Sequence, residues 1–301
     1  MDPDWIAIDW GTSNLRVWAI AASGAILARA GSDEGMARLS PDGFEPALLR
    51  LIGGWLGTRP LPALACGMVG ARQGWTEAAY RAIPCAPLDP AALTRAPTRD
   101  PRLDLRIAPG LSQDRPADVM RGEETQIAGA LMLEPGFDGV VCLPGTHSKW
   151  AHVSAGEVVS FQTHMTGELF ELVSRQSVLR HSLGADDAPH REEAFLAAVS
   201  DAISRPERIG SRLFGIRAEG LLHGLAPATA RARLSGLLIG MELAAARPYW
   251  LGQPVALIGS SGLARAYATA LAAQGAQTRS LDATACTLAG LTSLLATGTR
   301  P

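Results

Sequence analysis

The sequence has little that would tie it to a membrane, to nucleic acid or to an oxidising compartment. Only four cysteines occur among its 301 residues: Cys66, Cys85, Cys142 and Cys286. They are far apart, form no C-x-x-C pair and each sits in an apolar stretch, where a free thiol packs as a small hydrophobe. A disulfide framework is not expected in a chain of this length, and a reducing cytoplasm is. The formal net charge is only −2, which supplies neither a basic face for nucleic acid nor an acidic tail. The longest apolar helical stretch, near Leu234 to Ala246, carries Glu242 and is too short to span a bilayer. Met1-Asp2-Pro3-Asp4 is acidic and runs straight into a strand, so no signal peptide is expected. Also missing are G-x-x-x-x-G-K-[ST] and G-x-G-x-x-G, which argues against P-loop and Rossmann folds. Gly259-Ser260-Ser261-Gly262 does not have the spacing of a G-x-S-x-G nucleophile elbow.

What is present is a compact, core-forming composition, 47% hydrophobic and 19% charged, long enough for two domains. Trp5 to Trp10 reads as a buried strand entering a polar turn, Gly11-Thr12-Ser13-Asn14. Strands over Leu15 to Ile20 and Ala25 to Ala30 follow, then a helix over Phe44 to Leu56 and a strand over Ala63 to Val69. The same pattern returns later. Gly139 to Leu143 is an apolar strand entering Pro144-Gly145-Thr146-His147-Ser148. Partner strands over Lys149 to Val153 and Glu157 to Phe161 follow, then a helix over Gly167 to Gln176. A strand-turn-strand-turn-strand-helix unit thus occurs twice, with Gly-Thr in each first turn. Pro84 to Pro116, rich in Pro and Asp, reads mainly as loop. Helices are expected over Glu123 to Leu133, Arg191 to Ser204, Glu207 to Leu225 and Ala228 to Trp250. A strand over Val255 to Ile258 then leads through Gly259 to Gly262 into another helix. A strand over Thr278 to Leu281 and a helix over Ala283 to Leu295 close the chain.

Each turn has an ordinary reading and a chemical one. Gly, Ser and Asn are common turn residues, but a tight turn of small residues also presents backbone N–H groups and hydroxyls to phosphate oxygens. Gly11, Thr12, Ser13 and Asn14 form one such turn, and Asp9 at the strand end before it suits Mg2+. Gly145, Thr146, His147, Ser148 and Lys149 form a second, with two hydroxyls and a cation. Gly259, Ser260, Ser261 and Gly262 lie at a strand-to-helix junction whose helix N-terminus favours negative charge. Glu123 and Glu124 begin a helix after Gly122. They suit the helix dipole structurally, and either suits a general base. Ile127 and Leu131 continue the row from Glu123, Ala128 and Met132 that from Glu124. Both rows are apolar, so periodicity does not choose between the two acids.

This ordered set resembles the sugar-kinase branch of the actin-like ATPase superfamily. Ile8 to Arg16, Gly67 to Gly70, Val119 to Gln126, Pro144 to Trp150 and Met165 to Leu169 narrow the resemblance to the 2-dehydro-3-deoxygalactonokinases. The resemblance covers nearly the whole chain. It implies an α/β fold of two facing ribonuclease-H-like domains with a nucleotide cleft between them. Residues 1–116 would be the substrate- and phosphate-binding domain and 117–301 the nucleotide-binding domain, with the last helix packing back at the junction. It also implies ATP and Mg2+, with phosphorylation of the C6 hydroxyl of 2-dehydro-3-deoxy-D-galactonate in galactonate breakdown.

By the same resemblance, the two turns hold phosphates and Gly259 to Gly262 the adenosine. The acid directly after Gly, Glu123, takes the place of the base, where larger relatives have Asp. The second turn departs from their Gly-Thr-Gly pattern at His147. Arg72, Gln73 and Trp75 are candidate sugar contacts, as are Thr166, Gly167 and Glu168. Arg72, Arg16 and Arg121 are candidates for the substrate carboxylate, which a guanidinium can bind in a bidentate manner. The expected partner is a small sugar acid, with no nucleic acid or membrane, in a chain able to form a homodimer. Rival readings are a kinase for another sugar or aldonic acid, a phosphoanhydride hydrolase, and a nucleotide-driven binding protein.

Overall fold

The computed structural model describes residues 2–184 and 191–295; Met1, where the expected first domain starts, and the last residues of the expected 117–301 domain lie outside them. The chain divides into two compact units. One holds the residues up to Phe137, Ser154–Ser160 and the chain from Ala283; the other holds Asp138–Val153 and Phe161–Asp282. This division falls at Phe137 rather than at residue 116, and it gives the last helix to the first unit.

In the first unit, β1 (Trp5–Trp10), β2 (Leu15–Ile20), β3 (Ile26–Ser32), β4 (Leu61–Gly67), β6 (Thr94–Arg95) and β7 (Leu103–Ile107) form a sheet of order β3-β2-β1-β4-β7-β6. The first three strands pair antiparallel, and β4 and β7 continue in parallel. Alternation along β1 sorts its side chains to two faces. Ile6, Ile8 and Trp10 pack with Phe44, Leu48 and Ile52 of helix α1 (Phe44–Ile52). Trp5 and Ala7 join Trp18, Leu64, Cys66 and, from helix α9 (Ala283–Leu295), Leu291 and Leu294. A small sheet of β5 (Tyr80–Ala82), β8 (Gly110–Gln113) and β9 (Asp118–Met120) leads into α2 (Glu123–Leu133). Helices α2 and α9 lie backbone to backbone. A Cβ on Gly129 would stand 1.7 Å from the Cys286 carbonyl oxygen, and one on Gly290 2.0 Å from that of Thr125.

The second unit repeats the plan. β10 (Gly139–Leu143), β11 (Ser148–Ser154), β12 (Glu157–His164), β13 (Val255–Gly259) and β14 (Thr278–Asp282) have the order β12-β11-β10-β13-β14. Here too β10 and β11 pair antiparallel, and β13 and β14 run parallel beyond β10. Third-second-first-fourth-fifth is the ribonuclease-H-like order, and the first sheet follows it once its two-residue edge strand β6 is set aside, so the duplication seen in the sequence is a duplication of fold. Helices α3 (Thr166–Gln176), α4 (Glu192–Ser204), α5 (Ile209–His223), α6 (Pro227–Ala245), α7 (Arg247–Trp250) and α8 (Ser261–Ala272) complete it. Phe195 and Val199 of α4 pack with Ile239 and Leu243 of α6 and with Val140, Cys142, Val255 and Leu257 of the sheet.

The stretch Pro84 to Pro116, read mainly as loop, also contains three strands, β6, β7 and the whole of β8. Leu103, Leu105 and Ile107 alternate inward from β7, a period of two hidden among Pro and Asp. The helix expected over Ala228 to Trp250 breaks at Ala246, just before Pro248, whose ring cannot continue a helix interior. Among the described residues no helix is long and apolar enough to cross a membrane.

Candidate active site

Three segments of the first unit meet almost without side chains between them. Gly67, at the end of β4, has φ 93°, and a Cβ there would lie 2.7 Å from the Trp10 carbonyl oxygen. Gly122, which precedes α2, has φ 107°, and its Cβ would lie 3.2 Å from the Gly67 Cα. Glycine meets both demands, left-handed backbone and close approach. The start of α2 is thereby brought to the end of β1, and its acidic pair to Asp9.

The two acids differ. Glu124 is fully buried, and its carboxylate accepts from the Gly122 N–H at 2.7 Å and the Thr125 hydroxyl at 3.2 Å. Burial, and then the charge of Glu123, push its pKa up to about 8. Glu123 is half-buried and accepts from the Arg121 N–H at 3.0 Å. Burial raises the pKa of Asp9; Arg16, 3.5 Å away, opposes this and the charge of Glu123 adds to it. Asp9 therefore feels the charge of Glu123. Beneath them Cys66 is buried, and burial, followed by the charges of Asp9 and Glu124, holds its thiol well above the usual range.

The turn after Asp9 exposes Thr12, Ser13 and Asn14. Three of its four carbonyls are already occupied. Gly11 and Thr12 accept from the Met36 and Ala37 amides at 3.0 Å, and Asn14 accepts from the Gly11 amide at 2.9 Å. What the turn can offer outward is N–H groups and hydroxyls, the donors a phosphate needs. Gly35 permits this, since a Cβ there would stand 2.3 Å from the Thr12 carbonyl oxygen.

The arginines separate by environment. Arg72 is exposed beside Gln73, and Arg16 is exposed against Asp9. Arg121 is buried, with its guanidinium 4.3 Å over the Tyr80 ring and one nitrogen donating to the Ala78 carbonyl at 2.7 Å. Its Nε and Nη1 are buried without a partner among the described residues. Trp75 stacks on Phe44 and stands edge-on to Trp10, so its ring packs on the core while Arg72 and Gln73 face solvent.

In the second unit, Thr146 and His147 are the exposed tip of the turn after β10. Thr166, Gly167 and Glu168, expected to touch sugar, are docked on this turn. A Cβ on Gly167 would lie 2.3 Å from the Gly145 carbonyl oxygen. The Glu168 amide donates to the Thr146 carbonyl at 2.9 Å, and its carboxylate lies 2.6 Å from His147 Nε2. Ser148 and Lys149, expected to face phosphate, are both buried; the Lys149 ammonium donates to the His147 carbonyl at 3.5 Å. Gly259 lies beside this turn, its Cβ position 3.4 Å from the Pro144 carbonyl oxygen. Ser260 and Gly262 are exposed at the start of α8, and the Ser261 side chain lies outside what is described. Two residues were missed: Tyr267 on α8 and Glu242 on α6, both buried and both bonded into the network beneath the turn. The signal for Glu242 was its position as a lone charge in an apolar helix. Among the described residues no three His, Cys, Asp or Glu converge as a metal cluster, and Mg2+ needs only one or two carboxylates with water.

Two ribonuclease-H-like units, each with a turn of small polar residues after its first strand, and acids at the start of α2 are the arrangement expected from the sequence, and with the family matched below the chain is a carbohydrate kinase, a phosphotransferase. Sequence comparison supplies the particular family. Residues 9–294 match the 2-keto-3-deoxy-galactonokinase family, and the chain belongs to it. It is 44% identical over 291 residues to a probable 2-dehydro-3-deoxygalactonokinase of Rhizobium meliloti (strain 1021), covering 95% of each chain. It is 34% identical over 301 residues to the 2-dehydro-3-deoxygalactonokinase of Escherichia coli (strain K12), covering 98% of each. A crystal structure from Sinorhizobium meliloti, described under the same enzyme name, superposes with a TM-score of 0.89 at 43% identity, over 97% of this chain and 98% of that one.

Proposed function

We infer that the chain transfers the terminal phosphoryl group of ATP to the C6 hydroxyl of 2-dehydro-3-deoxy-D-galactonate, in the breakdown of galactonate. The O–P bond to the sugar forms as the bond to ADP breaks, and the hydroxyl proton leaves to Glu123. The observation that carries the reading is the half-buried Glu123 set beside Asp9 at a donor-presenting turn. Glu124, buried and largely protonated below about pH 8, anchors the start of α2 instead. Asp9 would hold Mg2+, which supplies charge neutralisation on the phosphates when bound.

The Thr12, Ser13 and Thr146 hydroxyls and the N–H groups of Asn14, Gly145 and His147 serve phosphate oxygens. Gly259 to Gly262 serves the adenosine. Arg72 and Gln73 are the exposed candidates for the sugar acid. Arg16 is paired with Asp9 and Arg121 is buried, so Arg72 is the first choice for the carboxylate. The cytoplasm as compartment and a homodimer as assembly belong to the same reading.

A coupled ADP-release assay across 2-keto-3-deoxy sugar acids and neutral sugars tests it. Release should require Mg2+ and an acidic acceptor. Equal release without acceptor would favour a phosphoanhydride hydrolase, and preference for another sugar would move the substrate.

A further inference from the structure

The turn after β10 rests on a buried chain of hydrogen bonds that the proposed reaction does not itself use. Glu242, 1% exposed, accepts from Trp150 Nε1–H at 2.7 Å and from the Tyr267 hydroxyl at 2.6 Å. Tyr267, 1% exposed, lies 3.0 Å from the Ser148 hydroxyl, which is wholly buried. Proton counting fixes the direction. A tyrosine hydroxyl has one hydrogen, and the short bond to the carboxylate takes it. Ser148 must then donate its own hydrogen to the Tyr267 oxygen. The Ser148 hydroxyl is directed into the protein and is not a phosphate donor, which leaves that work to backbone N–H groups, Thr146 and His147.

The chain joins three elements: Glu242 is on α6, Tyr267 on α8, and Trp150 and Ser148 on β11, whose first residue, Ser148, closes the turn. Helix α8 begins within the Gly259–Gly262 segment, at Ser261, and Gly259 itself sits beside Pro144. Tyr267 thus ties the helix of the one turn to the last residue of the other. We propose that Glu242 is a positioning residue. Through Tyr267 and Ser148 it holds the Gly145–Ser148 turn in register with the Gly259–Gly262 turn, so that the nucleotide meets a preset platform. This rests on the reading that these turns bind nucleotide. A buried carboxylate between two aromatic donors is a costly way to gain stability alone, since apolar side chains of similar volume often serve as well.

The test is nucleotide affinity, measured by calorimetric titration of Mg-ADP into the intact enzyme, beside steady-state kinetics. Tyr267→Phe keeps the ring and removes the link. It should weaken Mg-ADP binding and raise the ATP KM by about tenfold, with the sugar-acid KM within about twofold of wild type. Ser148→Ala should have a similar effect, and the double variant should be no worse than either single one, because both cut the same chain. Glu242→Gln should shift the same two quantities. If the variants melt earlier but bind Mg-ADP like wild type, or if both KM values rise together, the positioning role is wrong. If wild type itself does not bind Mg-ADP, the nucleotide reading fails and the proposal with it.

Discussion

The Gly11–Asn14 and Gly145–Ser148 turns stand at the same place in two sheets that share the order third-second-first-fourth, yet they are held by different means. The first is held by backbone: the Met36 and Ala37 amides take its carbonyls, and Gly35 fits beneath. The second is held by side chains below, through Ser148, Tyr267 and Glu242, and by the start of α3 packed against it. The acids differ as well. Asp9 and the α2 pair gather at the first turn, whereas the second has Glu168 bonded to His147. On the proposed reading, one fold, used twice, has its chemistry on one copy and its elaborated ligand support on the other.

The largest expected effect tests that asymmetry. Glu123→Gln should lower kcat by about 10²–10⁴-fold, the usual contribution of a positioned base, with little change in ATP binding. Asp9→Asn should also cut turnover strongly and change its dependence on Mg2+ concentration while the fold stays intact. His147→Ala at the second turn should raise the ATP KM and leave kcat within about tenfold, as expected for lost binding rather than lost proton transfer. Single-turnover kinetics on the three variants decide the matter. A kcat loss for His147→Ala as large as that for Glu123→Gln would end the division of labour.

The next effect concerns how each turn is held. A Cβ at Gly35 would stand 2.3 Å from backbone of the first turn, and one at Gly167 2.3 Å from backbone of the second. Neither neighbour is a flexible side chain, so the backbone itself must move. Gly35→Ala and Gly167→Ala should each cost about 1–3 kcal/mol in thermal or denaturant unfolding, the usual range for overpacking, and each should weaken Mg-ADP binding. An alanine accepted without loss at one position would show that turn to be the softer of the two.

Much of this was legible before the structure, for local reasons. Both turns are small polar residues between apolar runs, and Gly122 followed by an acid marks the start of α2 within two residues. What was not legible depends on contacts distant in sequence. Tyr267 and Ser148 are 119 positions apart, and no local pattern couples them. β7 was lost because its five residues lie among Pro and Asp. Arg121 gave no sign that it would be buried against Tyr80 while Arg72 faced solvent. The choice between Glu123 and Glu124 could not be made by periodicity because both rows run inward over the first turns of α2: Ile127 and Ala128, one from each row, are both inside. Exposure separates the two acids, and exposure is a property of the fold.

The last test addresses that separation directly. Glu124 has an ordinary value of 4.5 and is raised to about 8 by burial and by Glu123. Between those values the folded chain holds a proton that the unfolded chain has released. Stability then falls as pH rises across this window, by up to about 1.4 kcal/mol per pH unit, and the dependence ends above the folded value. Glutamine resembles the protonated acid, and its carbonyl can still accept from the Gly122 N–H. Glu124→Gln should therefore flatten the decline in melting temperature between about pH 5 and 8 and leave the variant more stable than wild type above it. Glu123→Gln should act on the same slope only indirectly, by removing the second cause of the shift. An unchanged slope in Glu124→Gln would mean that Glu124 is ionised in the folded chain. The buried acid would then be as able as its neighbour to accept a proton, and the assignment of the base to Glu123 would lose its physical ground.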